Sequence, residues 1–214
     1  MATIHTIYFD LDDTLYPNTN GLWEAIGERI NSYMVNRTNI PEQQVSRIRN
    51  EYLNSYGTTL NGLVANYQID PHDYLEYVHD VPLENYLQPD LALQNMFSLI
   101  KQRKIVFTNS ESGHATRVLE ILGIDSHIEA ILDIVALDFI NKPEPQAYSR
   151  AMEITNVAEP GSCLFLDDRV VNLLPAAALG MKTALVGNTV KPDKVDYHLQ
   201  HVTELLDTVT DLVN

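Results

Sequence analysis

The chain has little basic charge and a single cysteine, and each of these shortages excludes some classes of partner or chemistry. Only 14 lysines and arginines stand against 29 acidic residues, which gives a formal net charge of -15. Nucleic acids and anionic membranes select basic surfaces, so we expect neither of them as a partner. Cys163 is the only cysteine, so no intramolecular disulfide can form. Its place in the apolar run SCLFL indicates a buried structural thiol rather than a nucleophile.

Long apolar runs and targeting signals are also missing. No stretch approaches the roughly 20 apolar residues of a membrane helix. The first residues, MATIHTIYF, lack the basic beginning of a secretory signal. We therefore expect a cytoplasmic protein, in which the sequon NRT at Asn36 would carry no sugar. No feature of the sequence predicts an oligomeric state.

The chain does contain a series of short apolar runs, most of which end in polar residues. Five of them have strand length and the apolar character of strands covered on both faces: IHTIYFD, KIVFTNS, AILDIVALD, SCLFLDD and KTALVG. Helix-like segments separate the later runs, and two of these segments stop at Gly123 and Gly180. Strands that alternate with helices predict an α/β fold, a three-layer Rossmann-like core around a parallel sheet.

One long segment breaks this alternation. GLWEAIGERINSYMV and PEQQVSRIRNEYLNSYG have apolar residues at helical spacing, and DPHDYLEYVHDV reads as a further short helix. An all-helical crossover of this length between two strands of one sheet is unusual. We therefore predict a catalytic core of residues 1–17 and 88–214 with an inserted all-helical cap at 18–87. The alternative is that these helices belong to a single α/β domain.

Polar residues follow the apolar runs where the predicted strands end. Parallel sheets bind their ligands beyond the carboxyl ends of the strands, so side chains that are distant in sequence can meet there. The candidates are Asp10, Asp12, Asp13, Thr108, Asn109, Ser110, Lys142, Asp167 and Asp168. Each alone has an ordinary role in a turn, a helix cap or a solvated surface. Together they predict a site for Mg²⁺, with carboxylates from Asp10 and Asp168 among its oxygen ligands.

Four segments together resemble the motifs of the haloacid dehalogenase superfamily, and of its phosphatases in particular. DLDDTLY is similar to the DxDxT signature, and VFTNS is similar to the second motif. Lys142 before Pro143 resembles the lysine of the third motif, and FLDDRVVN resembles the acidic fourth motif. The motifs occur in the family's order, and the helical insert stands where the family has its cap.

The resemblance implies Mg²⁺-dependent hydrolysis of a small-molecule phosphate monoester. Asp10 would be the nucleophile that forms an aspartyl-phosphate. Asp12 would protonate the leaving oxygen and then deprotonate water, while its backbone carbonyl binds the metal. Thr108, Asn109 and Lys142 would hold the phosphate. The Asp12 carboxylate also sets the family's phosphatases apart from its dehalogenases, so the resemblance disfavours dehalogenation.

The fourth motif departs from the family's frequent Gly-Asp pair. Asp168 occupies the metal-ligand position, and Asp167 stands in place of the glycine. Asn172 stands where many members have a further acidic residue. We therefore expect Asp10, Asp12 and Asp168 to bind the metal, with Asp167 and Asn172 in supporting roles.

The predicted cap gives a prediction about the substrate. The segment EYLNSYGTTLNGLVANYQIDPHDYLEYVHDVPL resembles the pyrimidine 5′-nucleotidase group, which implies UMP or CMP. Tyr56, Thr58, Asn61 and His72 could face such a substrate, although cap tyrosines also pack between helices and Asn-Gly is a common turn. The alternatives are a phosphatase of a sugar phosphate or another small metabolite, a phosphoryl-transferring mutase, and a non-catalytic binding protein with this fold.

Overall fold

The computed structural model describes residues 3–17, 19–187 and 190–212. The chain divides into two compact units, one formed by Met1–Thr19 with Leu87–Asn214 and the other by Asn20–Tyr86. The helices are α1 Leu22–Thr38, α2 Glu42–Tyr56, α3 Thr59–Tyr67, α4 Pro71–His79, α5 Leu91–Leu99, α6 Ser112–Leu122, α7 Pro145–Ile154, α8 Val170–Leu179 and α9 Leu205–Thr208. Within the described ranges, each helix is too short or too polar to cross a lipid bilayer.

The Asn20–Tyr86 unit consists of α1 to α4. Its α1 buries the apolar stripe that the sequence predicts, with Leu22 and Ile26 at its start. The segment after α2 was not predicted as a helix, and the structure gives it as α3. Thr58 caps α3 by accepting a hydrogen bond from Asn61 N at 3.1 Å, so the Asn61–Gly62 pair lies inside a helix rather than in a turn.

The other unit is built on a parallel sheet. Its strands are β1 Thr6–Phe9, β2 Arg103–Phe107, β3 Ala130–Leu132, β4 Cys163–Asp167, β5 Lys182–Val186 and β6 Tyr197–Leu199. Their order in the sheet is β3-β2-β1-β4-β5-β6, and each neighbouring pair is parallel. The predicted α/β class with a parallel sheet is confirmed, and Cys163 is buried at the start of β4 as predicted.

Two strands differ from the sequence prediction. The run AILDIVALD forms a strand only as far as Leu132, because the carboxylate of Asp133 accepts hydrogen bonds from Ser112 N and Ala136 N and so begins a turn. The last strand, β6, was not predicted, because it has three residues and carries the polar His198. The helices α6 and α8 end at Gly123 and Gly180 as predicted.

The position of β1 determines where the site lies. This strand is fully buried and pairs with β2 on one side and β4 on the other. Phe9 lies level with Val106 and Leu166, and Asp10 N donates to Leu166 O at 2.9 Å. Asp10 therefore stands at the carboxyl edge in the middle of the sheet, between the ends of two neighbouring strands.

Candidate active site

A buried lysine joins two of the predicted site residues. Lys142 Nζ lies 2.6 Å from Asp10 Oδ1 and 2.8 Å from Asp167 Oδ2, and the lysine is 1% exposed. The rings of Phe107 and Phe165 lie 5.1 and 5.2 Å from the same nitrogen. Burial alone would lower the pKa of Lys142, but the two carboxylates outweigh it and raise the pKa, so the side chain stays an ammonium.

The second predicted motif positions this lysine. Asn109 Oδ1 accepts from Lys142 N at 2.9 Å, and Asn109 Nδ2 donates to Lys142 O at 3.0 Å. Asn141 Nδ2 also donates to Lys142 O, at 2.7 Å. The side chain of Asn109, which the sequence predicts to bind phosphate, is therefore engaged with the lysine backbone. A phosphate contact from Asn109 would have to come from its backbone N–H.

Thr108 lies at the end of β2, where the sequence predicts a phosphate-binding hydroxyl. It is 1% exposed, and its Oγ1 accepts from Ser110 N at 3.0 Å. A hydroxyl that accepts one hydrogen bond still has its proton to donate. Thr108 could therefore donate to a phosphate oxygen.

Three carboxylates crowd together beside the lysine. Oxygens of Asp10, Asp167 and Asp168 all lie within 4.8 Å of one another. Burial raises the pKa of Asp10 well above its ordinary value, with Lys142 opposing and the other two charges adding to the rise. Burial, followed by the charges of Asp167 and Asp13, raises the pKa of Asp168 to about 7. One ammonium cannot balance three carboxylates, so the donor set fits a hard divalent cation such as Mg²⁺.

Within this cluster Asp167 has a supporting position. Its Oδ1 accepts from Arg169 N at 2.8 Å, and Asn172 Nδ2 lies 3.0 Å from both of its oxygens. With Lys142 on Oδ2, both carboxylate oxygens are engaged by the protein. Asn172 thus acts through Asp167, whereas Asp168 is only partly buried and lies beside Asp10.

The turn after β1 fixes the nucleophile candidate. Thr14 Oγ1 donates to Asp10 Oδ2 at 2.9 Å and accepts from Asp168 N at 3.1 Å, which links the ends of β1 and β4. Asp13 lies in this turn with φ 63, in the left-handed region that Asp tolerates. Asp13 therefore has one of the ordinary roles that the sequence allows for a single candidate, a place in a turn.

Asp12 is not part of the carboxylate cluster, and its side chain is held by residues that the sequence analysis did not assign to it. Its Oδ1 accepts from Tyr16 OH at 2.5 Å and contacts His114 Nε2 at 2.9 Å, and its Oδ2 accepts from Ser110 Oγ at 2.6 Å. Burial alone would raise the pKa of Asp12, but His114 and the hydrogen bonds outweigh it and hold the pKa well below its ordinary value. No local pattern in the sequence indicated Ser110 and His114 as partners, because they lie 98 and 102 positions from Asp12.

A parallel sheet with an acidic, lysine-containing site at its carboxyl edge places the protein among the α/β proteins that bind a ligand beyond the ends of their strands. The family model for haloacid dehalogenase-like hydrolases matches residues 4–180. The chain belongs to this family.

Two curated proteins are similar in sequence. "Phosphate metabolism protein 8" of Saccharomyces cerevisiae is 28% identical over 190 residues, which cover 81% of this chain and 59% of the yeast protein. "Bifunctional epoxide hydrolase 2" of Mus musculus is 39% identical over 66 residues, 31% of this chain and 12% of the mouse protein. The chain thus spans less than two thirds of the length of either relative.

Solved structures of a phosphatase and of dehalogenases share the fold. A phosphatase of the family from Thermococcus onnurineus has a TM-score of 0.67 at 15% identity, with 95% of this chain and 97% of that chain covered. An L-2-haloacid dehalogenase from Xanthobacter autotrophicus, with chloropropionic acid covalently bound, has a TM-score of 0.60 at 14% identity, with 94% and 96% covered. The fold therefore leaves the choice of reaction to the site residues.

Proposed function

We propose that the protein is a Mg²⁺-dependent phosphatase that hydrolyses small phosphate monoesters through an aspartyl-phosphate on Asp10. The observation that carries the proposal is the pairing of Asp10 with the buried Lys142. A second carboxylate, Asp12, lies two residues further along the chain and outside the three-carboxylate cluster. The names of two similar proteins, one for phosphate metabolism and one for a phosphatase, agree with this proposal.

The first half of the reaction transfers the phosphoryl group to the protein. A carboxylate oxygen of Asp10 attacks phosphorus, and the bond from phosphorus to the leaving oxygen breaks in line with the attack. With the substrate bound, Asp12 carries a proton taken up from solvent and gives it to the leaving oxygen, so the product departs as an alcohol. Lys142 balances charge on the phosphoryl oxygens, and the Thr108 hydroxyl donates a hydrogen bond to one of them.

The second half returns the enzyme to its starting state. Asp12, now ionised, takes a proton from water, and the resulting hydroxide attacks phosphorus. The bond between phosphorus and the Asp10 oxygen breaks, and inorganic phosphate leaves. An acid and base at position 12 suits phosphate ester hydrolysis, because an alkoxide leaving group needs a proton whereas a halide does not.

The carboxylates of Asp10 and Asp168 and the backbone carbonyl of Asp12 would hold Mg²⁺. When bound, the cation neutralises the carboxylates and so allows the anionic phosphate to approach. The three-carboxylate cluster with one balancing lysine is the feature of this chain that fits the ion.

For the substrate we propose a pyrimidine nucleoside 5′-monophosphate, on the resemblance of residues 51–83 to the pyrimidine 5′-nucleotidases. A sugar phosphate or another small phosphorylated metabolite is the alternative. The absence of a nucleic-acid or membrane partner and the cytoplasmic location stay predictions.

The test is phosphate release from UMP, CMP, purine monophosphates and sugar phosphates, with Mg²⁺ and with EDTA. We expect Mg²⁺-dependent release, fastest for UMP or CMP and abolished by Asp10→Asn. Asp207→Asn, at an exposed carboxylate on α9, is the matched control and should be fully active. Preference for sugar phosphates would support the alternative substrate class, and phosphoryl transfer without release would support a mutase. No reaction with any monoester would overturn the proposal in favour of a non-catalytic protein.

A further inference from the structure

The unit that contains the parallel sheet is called the core unit. Three hydrogen-bonding side chains from different parts of it contact Asp12. Tyr16 lies in the turn after β1, Ser110 follows β2, and His114 lies in the first turn of α6. They are 3%, 7% and 0% exposed, and the side chain of Asp12 is 12% exposed. Because an ionised carboxylate can only accept hydrogen bonds, all three groups donate, and His114 does so through its Nε2–H.

This arrangement fixes both torsions of the Asp12 side chain. Two donors act on Oδ1 and one acts on Oδ2. A carboxylate bound at one oxygen could still rotate, whereas donors at both oxygens hold the plane of the group. Proton transfer requires the acid to stand within about 2.6–3.2 Å of the oxygen that it protonates, so a fixed orientation directly affects the rate.

We propose that His114, together with Ser110 and Tyr16, positions Asp12 for proton transfer in the phosphatase reaction. This inference rests on the proposed function. His114 is a positioning residue, because it contacts Asp12 and neither Asp10 nor Lys142 in the contacts described above. Its anchor is rigid, since α6 is a regular helix whose buried residues pack into the core unit.

A purely structural role for His114 predicts a different outcome. A fully buried histidine needs a hydrogen-bond partner if burial is not to destabilise the fold, and Asp12 could have that role alone. In that case, removing the ring would lower the amount of folded enzyme and would slow every substrate equally. Positioning of an acid, in contrast, affects only those substrates whose leaving group needs a proton.

The test compares two phosphate monoesters in the full-length protein with Mg²⁺. One is an alkyl ester, whose leaving alkoxide needs a proton, and the other is 4-nitrophenyl phosphate, whose leaving group does not. We expect His114→Leu to lower kcat/KM for the alkyl ester by about 10-fold to 10²-fold, a part of the 10²- to 10⁴-fold effect of a positioned acid. For the aryl ester we expect a loss of less than about 3-fold, because acid help matters little there.

Two further variants separate positioning from folding. His114→Gln keeps an N–H that can donate to Asp12 and should restore most of the lost alkyl-ester activity. Leu119→Ala, at a buried apolar position on the same helix, should lower stability and leave the ratio of the two kcat/KM values unchanged.

A double-mutant cycle completes the test. In an Asp12→Asn background, His114→Leu should cost little further activity, because the two residues act as one unit. If the wild-type protein releases no phosphate from either ester, the proposed function fails and the inference fails with it. If the wild-type protein is active but His114→Leu slows both esters equally, or if its effect persists unchanged in Asp12→Asn, only the positioning role is overturned.

Discussion

Lys142 Nζ lies 2.6 Å from Oδ1 of Asp10, a residue 132 positions earlier in the chain. The second oxygen of Asp10 accepts a hydrogen bond from Thr14, so both oxygens of the proposed nucleophile are oriented before any substrate binds. The same ammonium also neutralises Asp167. A single buried ammonium therefore neutralises two buried carboxylates, so we expect its removal to affect stability as well as activity.

Lys142→Met should destabilise the fold and abolish phosphate release. Removing one partner of a buried ion pair leaves uncompensated charge, which costs about 3–5 kcal/mol of unfolding free energy. Urea unfolding of the wild type and the variant measures the difference. Lys101→Met, at an exposed lysine, is the control and should stay within about 0.5 kcal/mol of wild type. A Lys142→Met protein as stable as wild type would contradict the ion-pair argument.

Asp12→Asn should slow turnover by about 10²- to 10⁴-fold, the usual contribution of a general acid and base. Its effect on Mg²⁺ binding should be small, because the Asp12 carboxylate is outside the three-carboxylate cluster and Asp12 is proposed to bind the ion through its backbone carbonyl. Steady-state kinetics and isothermal titration with Mg²⁺ test the two statements separately. Turnover near the wild-type rate would show that the role assigned to Asp12 is wrong.

Asp168→Asn should weaken Mg²⁺ binding and, without Mg²⁺, raise the stability of the protein. Without Mg²⁺ we expect the variant to melt at a higher temperature than wild type, because one of three crowded carboxylates is removed. Added Mg²⁺ should raise the melting temperature of wild type and leave the variant almost unchanged. Calorimetry with Mg²⁺ and with EDTA measures both effects, and Asp207→Asn should respond as wild type does. An equal Mg²⁺ response in Asp168→Asn would remove this residue from the metal site.

Gly62→Ala should destabilise the Asn20–Tyr86 unit. A Cβ at this position of α3 would overlap the ring of Tyr52 on α2, and such overpacking costs about 1–3 kcal/mol. The control is Gly27→Ala in α1, where a Cβ would have only an ordinary contact with Arg49 at 3.7 Å. Alanine is the better helix former by about 0.5–1 kcal/mol, so we expect this control to be stabilising. Opposite signs in urea unfolding would confirm the close approach of α2 and α3.

Asp196 should contribute stability that depends on pH. Its carboxylate accepts from Lys182 Nζ at 2.8 Å and from Thr183 N at 3.0 Å. Burial alone would raise the pKa of Asp196, but these bonds outweigh it and lower the pKa. A lowered pKa in the folded state gives stability that is complete above the unfolded pKa, about 3.9, and is lost as the pH falls through the folded value.

We therefore expect Asp196→Asn to lower the free energy of unfolding by about 1–2 kcal/mol near neutral pH. The difference from wild type should start to shrink below about pH 4 and should disappear once the pH is also below the lowered pKa of the folded state, because only then is the carboxyl protonated in both states. Urea unfolding at a series of pH values measures this, with Asp207→Asn as the control. A difference that grew as the pH fell would contradict the assignment.

The sequence allowed a strand to be predicted wherever a strand was long and apolar. The run before Asp10 is apolar at each position that the sheet buries except Thr6, so its burial on both faces could be predicted directly. The short strand Tyr197–Leu199 could not be predicted, because its pairing depends on β5 beside it rather than on its own composition. Local hydrogen bonds also made two element boundaries unpredictable. The side chain of Asp133 determines where β3 ends, and the side chain of Thr58 determines where α3 begins.

By itself, the sequence determined the α/β class and the set of chemically important residue types, because apolar periodicity and motif order are local properties of the chain. Tertiary structure alone decided which partner each side chain has. It engages Asn109 with the backbone of Lys142, Asn172 with Asp167, and His114 with Asp12. Asn172 meets Asp167 only five positions away, across the turn between β4 and α8. The other two contacts join residues 33 and 102 positions apart. They depend on the order of strands in the sheet, and no short stretch of sequence encodes that order.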